Sequence, residues 1–177
     1  WGKVVVRGRS ERRWMKQEVL RLQAIGAIVS CSKEDLLHCS SVFLVPKPGP
    51  KEFRMVVNLK PANHCWELQE NTFKMEGLRG FFVLAWPGAW MVTWDLAEAF
   101  FHLMHCWEMA RFFGIEFEKR FYKYLVMPFG WKKSMYYINK FFAILKKYWR
   151  IEYKLPVWSH VDDFAAMFTS YCEAVTI

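Results

Sequence analysis

Leu155-Pro-Val-Trp-Ser-His-Val-Asp-Asp-Phe-Ala-Ala-Met-Phe168 decides how this chain folds. Two short runs rich in strand-forming residues flank Asp162-Asp163, a pattern that predicts a β-hairpin with two carboxylates at its tip. Like charges at one tight turn repel, and a divalent cation between them lowers that cost. Upstream, Asp95 ends the apolar run Trp90-Met-Val-Thr-Trp94. A strand delivering one carboxylate and a hairpin delivering two suit two hard cations such as Mg²⁺. Taken alone, these residues also allow a plainer reading, because Asp-Asp is a common turn dipeptide and Asp at a strand end a common helix cap.

The other elements follow from periodicity and turn chemistry. Val42-Phe-Leu-Val-Pro-Lys47, Pro48-Gly49-Pro50 and Phe53-Arg-Met-Val-Val-Asn-Leu59 predict strand, turn and strand. In the second strand Phe53, Met55, Val57 and Leu59 share one face, and Arg54 projects from the other. Ser10 is expected to cap a helix through Ala24, with Gly26 as its stop. Residues 30–41 suggest a polar loop with a helical piece at Glu34–Leu37, and 71–78 a connector. Phe81–Leu84 is expected to be helical, with Pro87-Gly88 as a turn, and a short helix is expected through Ala99 and Phe100. Phe112–Phe117 and Phe121–Val126 suggest a further hairpin, and Met127-Pro-Phe-Gly130 a bend. Ser134 is expected to cap a long helix to about Trp149, with Ile138, Phe142, Leu145 and Trp149 as its apolar stripe. Lys133, Lys140 and Lys147 recur every seven residues as a basic stripe. Helices mixed with antiparallel hairpins place the chain in the α+β class.

The 177 residues suit one domain, and 54% hydrophobic composition with ten Trp and sixteen Phe supports a large core. The net charge of +8 favours polyanions, nucleic acid before membrane surface. Residues 1–25 hold Lys3, Arg7, Arg9, Arg12, Arg13, Lys16 and Arg21 against Glu11 and Glu18, and a second basic cluster runs from Lys132 to Lys154. Solvated helix faces explain either cluster equally well. Five cysteines without a Cys-x-x-Cys argue against a disulfide scaffold or zinc ribbon and suit a reducing, intracellular setting. His102 and His105-Cys106 are ordinary packing or surface before they are a metal site. The longest apolar stretch, Phe81 to Trp94, is broken by Pro87-Gly88, so no membrane span is expected. An opening on Trp1-Gly2 without Met suggests a piece of a longer chain.

In order, Val42–Lys47 with Phe53–Lys60, Trp94-Asp-Leu-Ala-Glu-Ala-Phe-Phe-His102, Leu125-Val-Met-Pro-Phe-Gly130 and His160-Val-Asp-Asp-Phe164 resemble the fingers and palm of a reverse transcriptase. The flavour is that of retroelements, including the DIRS type, and Phe73-Lys-Met-Glu-Gly-Leu78 adds a linker of that branch. The resemblance runs from about Val19 to Phe168. It implies a polymerase palm, an antiparallel sheet packed by helices, with a fingers subdomain and no thumb. It divides residues 1–177 into an N-terminal helix and connector to 41, a fingers hairpin and connector over 42–90, and mainly palm over 91–177.

The resemblance also implies RNA-directed DNA polymerase activity, adding dNTP to a primer 3′-hydroxyl on an RNA or DNA template with two Mg²⁺, or Mn²⁺ in their place. Asp95 and Asp162 match the two main metal ligands, Asp163 the third carboxylate, and Leu96 a backbone carbonyl ligand. Lys47 and Arg54 match the residues that grip the triphosphate. Phe100 matches the gate against a ribose 2′-hydroxyl, and Phe129 and Gly130 match the bend lining the nucleotide pocket. The lysine stripe suits a template backbone, and no membrane partner is implied. Departures are His160 where the family has Tyr, Asn58 where it has an acid, Lys60 for Arg, Glu98 for Asp and Met135 for Pro. They keep open a non-catalytic nucleic-acid-binding relic. A third reading, an RNA-dependent RNA polymerase, is opposed by Phe100.

Overall fold

The computed structural model describes residues 1–49, 52–65 and 72–176, which form two compact units. The first comprises residues 1–69 and 100–134, the second residues 70–99 and 135–177.

In the first unit, β1 (Val4–Val5), α1 (Arg9–Ala24), β2 (Ile28–Cys31), β3 (Cys39–Pro46) and β4 (Phe53–Asn58) lead into α2 (Lys60–Cys65). The chain leaves through α3 (Leu78–Leu84) and β5 (Trp90–Asp95) of the second unit. It re-enters with a 3₁₀ turn at Ala99–His102, α4 (Trp107–Ala110), β6 (Gly114–Phe117) and β7 (Arg120–Tyr124). The strands of this unit run β1-β3-β6-β7-β2, with β4 also paired to β3. The β3–β4 hairpin pairs Val45 with Arg54 and Pro46 with Phe53, and β3 starts at Cys39, three residues before the predicted strand. Its tip at Pro50 and Lys51 lies outside the described residues, as does Asn71, the first residue of the predicted connector. Met15, Val19 and Leu22 of α1 are buried with Ile28, Val42, Phe113 and Ile115.

The second unit adds α5 (Ser134–Glu152), whose first residue still belongs to the first unit, then β8 (Val157–His160), β9 (Asp163–Phe168) and α6 (Tyr171–Thr176). Its sheet runs β5-β9-β8, antiparallel throughout. The ring of Trp94 stacks on Phe164 at 5.6 Å, and Phe142 and Trp149 of α5 meet Phe164 edge-on at 5.0 and 5.7 Å. The predicted stripe of α5 is therefore the face that covers the sheet.

Several local expectations are corrected. Gly8, not Ser10, is the N-cap of α1, and no side chain caps it. The Glu11 carboxylate accepts the Arg7 N–H at 2.6 Å, so Ser10 sits inside the first turn. The C-terminal stop is as expected: Gly26 has φ +72°, Gly26 N–H donates to Gln23 O, and Ala27 N–H to Leu22 O, a Schellman closure. Residues 28–31 are strand, and Glu34–Leu37 is a turn rather than helix. There Asp35 Oδ2 accepts Ser32 N–H at 3.0 Å and Ser32 Oγ accepts Asp35 N–H at 3.2 Å, a capping-box pattern. Only one turn follows, because Leu37 N–H donates to Arg111 O at 2.8 Å instead. The Ser134 hydroxyl donates to Pro128 O at 3.0 Å instead of capping α5, which runs on to Glu152. Lys133 lies in the turn before α5, so only Lys140 and Lys147 of the basic stripe are on the helix. No described helix is long and apolar enough to cross a membrane.

Candidate active site

Asp163 opens β9 and is the register partner of both Asp95 on β5 and His160 on β8. Cross-strand partners project from the same sheet face, so Asp95, Asp163 and His160 form one row, all three exposed. The other face carries Trp94 and Phe164 into the core. Leu96 N–H donates to Asp162 O at 3.2 Å, one register step beyond the Asp95–Asp163 pair. That bond makes Asp95–Asp163 the non-hydrogen-bonded type of pair, whose Cα atoms approach to about 4.5 Å and whose side chains are the closer kind.

Asp162 sits in the two-residue turn between His160 and Asp163, and Val161 before it has φ +58°. A β-branched residue at positive φ at this place, normally glycine in a type II′ turn, stores about 1–2 kcal/mol. The His160–Asp163 pairing and the Leu96 N–H bond to Asp162 O hold this turn against that cost. His160 lies parallel to Trp158 at 6.0 Å, and Trp158 is held by Phe81 at 5.4 Å and by its Nε1–H bond to Gly77 O at 3.2 Å.

Like charges on directly opposed residues are unfavourable without a counterion. The donors are all oxygens, which suits Mg²⁺, an ion that takes one or two carboxylates and keeps water or phosphate for its remaining positions. Among the described residues no group of three or more His, Cys, Asp and Glu gathers into a metal cluster. The structure therefore pairs Asp95 with Asp163 and does not gather Asp162 with them into one three-carboxylate cluster.

The remaining predicted residues lie in the first unit or on α5. Phe100 is 8% exposed and meets Phe129 edge-on at 5.7 Å, whereas Phe129 is 72% exposed. Gly130 has φ +95°, which L side chains rarely adopt, so the bend after Phe129 needs glycine. Asn63 of α2 braces this bend from both sides. Its Nδ2 donates to Gly130 O at 2.9 Å and its Oδ1 accepts Lys132 N–H at 2.9 Å. The sequence reading missed Asn63, because its partners are 67 and 69 residues away in the chain. Lys47 and Arg54 flank the β3–β4 turn, both exposed, and Lys47 N–H donates to Glu52 O at 2.9 Å to close it. Lys140 and Lys147 are exposed on α5.

Glu76 was also missed as a structural centre. Its carboxylate takes Lys146 Nζ at 3.0 Å, Arg150 Nη2 at 3.0 Å and Ser159 N–H at 3.3 Å, tying the segment before α3 to α5 and β8. Burial raises its pKa, but the hydrogen bonds and charges of Lys146 and Arg150 outweigh that, and the net shift is downward.

Residues 45–177 match the sequence family described as reverse transcriptase (RNA-dependent DNA polymerase). No sequence among curated proteins matches the chain. Among solved structures the fold is similar to the foamy viral protease-reverse transcriptase in complex with dsDNA, with TM-score 0.80, 17% identity, and coverage of 98% of this chain and 34% of that one. It is similar as well to native prototype foamy virus protease-reverse transcriptase, at TM-score 0.78 and 18% identity, covering 98% of this chain and 22% of the other. The foamy viral enzyme in complex with an RNA/DNA hybrid gives TM-score 0.77 and 14% identity, with 98% and 22% covered. These likenesses show the fold, and the chain spans about a third or less of those proteins.

Proposed function

Because the chain belongs to the reverse transcriptase (RNA-dependent DNA polymerase) family, we propose that it is the fingers–palm part of a retroelement polymerase that extends a primer 3′-hydroxyl with dNTP on an RNA or DNA template. The single observation carrying this reading is the register of Asp95 with Asp163, beside Asp162 in a strained turn. Residues 1–177 act as one fingers–palm fragment in this reading.

Asp95 and Asp162 would hold two Mg²⁺, or Mn²⁺, with Asp163 beside them and the Leu96 carbonyl as a further oxygen donor. When bound, such ions neutralise charge on the attacking 3′-oxygen and the departing pyrophosphate. The protein's own part is placement, since phosphoryl transfer asks little covalent chemistry of it. Arg54 forks onto triphosphate oxygens and Lys47 adds a point charge. Phe100 lies under the sugar and rejects a 2′-hydroxyl, while Phe129 and Gly130 line the pocket. Lys133, Lys140 and Lys147 follow the template backbone without reading sequence. The foamy viral proteins whose fold this chain shares bind dsDNA and RNA/DNA hybrid, which supports a nucleic-acid partner here.

Mn²⁺ binding followed by electron paramagnetic resonance tests the site, alongside single-nucleotide primer extension. Asp95→Asn and Asp162→Asn are expected to lose both bound Mn²⁺ and extension. Equal Mn²⁺ binding by the wild-type chain and both variants would sink the metal reading. His160 in place of the family's Tyr favours a second reading, a non-catalytic nucleic-acid-binding module. That reading wins if oligonucleotide is bound but no extension occurs with either metal.

A further inference from the structure

The charge of this chain is segregated. The first unit holds 18 Lys and Arg against 9 Asp and Glu, and the second holds 7 against 8, so the whole positive excess resides in the first unit. Within it, Arg9, Arg12, Arg13 and Lys16 stand at i, i+3, i+4 and i+7 of α1 and therefore share one flank, beside the face that buries Met15, Val19 and Leu22. All four are exposed, and none makes an ion pair among the described residues.

Two local costs meet at this flank. Two of the four, Arg9 and Arg12, lie in the first turn of the helix, where the macrodipole disfavours positive charge and Glu11 is the only acid. Next to α1 runs the β6–β7 hairpin, whose two-residue turn has Glu118 at φ +50° and Lys119 at φ +62°. Both are conformations that Asn and Gly adopt cheaply and Glu and Lys do not. One groove between α1 and this hairpin is lined by Lys16, Leu20, Glu118 and Arg120, and a neighbouring one by Lys3, Arg12 and Glu116. Unpaired cations at an unfavourable helix end, beside a strained turn that displays Lys119 and Arg120, gain most from a polyanion.

We infer that the α1 flank and the β6–β7 tip form a second nucleic-acid contact, a strip that grips phosphate backbone independently of the carboxylate site. Arg9 to Lys16 spans roughly 10 Å at 1.5 Å per residue. That length covers about three steps of 3.4 Å per charge on one strand, and so reaches about four phosphates. Glu116 and Glu118 within the grooves hold the strand to the outer edge, where the arginines stand. The inference does not rest on the polymerase reading, because it needs neither metal nor dNTP.

The test is fluorescence anisotropy of a labelled single-stranded oligodeoxynucleotide bound to the full chain in EDTA, with salt raised from about 50 to 200 mM. Arg9→Ala/Arg12→Ala/Arg13→Ala/Lys16→Ala keeps helix propensity and should weaken low-salt binding at least tenfold. It should also flatten the log–log salt slope by about 3, from four lost contacts at roughly 0.7 each on a single strand. Arg13→Glu/Lys16→Glu, a second variant should the first not fold, should lose at least as much affinity per residue changed. Unchanged slope and affinity in a folded variant overturn the strip. So does a loss confined to Lys140→Ala/Lys147→Ala, which would place the contact on α5. Lost binding to phosphatidylserine vesicles with oligonucleotide binding intact would likewise overturn it in favour of a membrane surface. Asp95→Asn should leave this binding unchanged, so failure of the metal site and failure of the strip are read separately.

Discussion

Replacing Glu76 with Gln should unsettle the second unit more than any surface substitution. The Glu76 side chain is 29% exposed, its partner Lys146 10% and Arg150 40%. Gln keeps the size and one acceptor, but it removes the charge that compensates the nearly buried Lys146 ammonium. Charged hydrogen bonds contribute about 1.5–3 kcal/mol each, and breaking a fully buried pair costs about 3–5 kcal/mol. The Arg150 arm is exposed enough to add no more than about 1 kcal/mol. Partial exposure of the carboxylate places the expected loss at about 3 kcal/mol, or a fall in Tm of roughly 6–12 °C for a chain of this length. Urea denaturation followed by circular dichroism, with the m-value checked, measures it. Adding Lys146→Met to the Glu76→Gln variant should then recover part of the loss, because it removes the uncompensated charge. The sign of the pH dependence follows from the lowered pKa. Stability from Glu76 is complete above the ordinary value of 4.5 and fades as pH falls through the lower folded value, a slope the variant lacks. A loss below about 0.5 kcal/mol, or a Lys146→Met change that only adds to it, would refute the reasoning.

His105 is stacked on Phe113 at 4.7 Å, and burial pushes its pKa down to about 4 despite a hydrogen bond with the Val126 backbone. Its neutral form is the one that folds, so stability should drop as pH falls from 6.5 towards 4, and denaturation midpoints of His105→Phe should not show that drop. Phe100→Val should raise ribonucleotide over deoxyribonucleotide incorporation, read as the ratio of kcat/KM values in single-nucleotide extension. An active variant with unchanged sugar preference would remove Phe100 from the gate.

Much of this protein was legible because its signals are local. Two-residue alternation marks Phe53–Leu59, and the strand-forming runs on either side of Asp162-Asp163 mark the hairpin, although its turn is Val161-Asp162 and Asp163 already belongs to β9. The 3.6-residue spacing of Ile138, Phe142, Leu145 and Trp149 marks α5 and the face it buries. Ordered motifs along the chain were enough to identify the family. Helix starts were read less well, since Ser10 and Ser134 had the right chemistry for caps while backbone geometry gave them other work.

What the sequence could not contain is the pairing of segments far apart in the chain. Asp95 meets Asp163, Asn63 reaches Gly130, and Glu76 collects Lys146 and Arg150 only once each unit has folded on itself. The assignment of residues 100–134 to the same unit as 1–69 is also invisible to any local pattern. The register of β5 on β9 shows the physical reason. A slip of β5 by one residue would turn Trp94 away from Phe164 and Trp149 and carry Asp95 into the core. Burial of that aromatic face, a tertiary event, is what sets the carboxylates side by side on the open one.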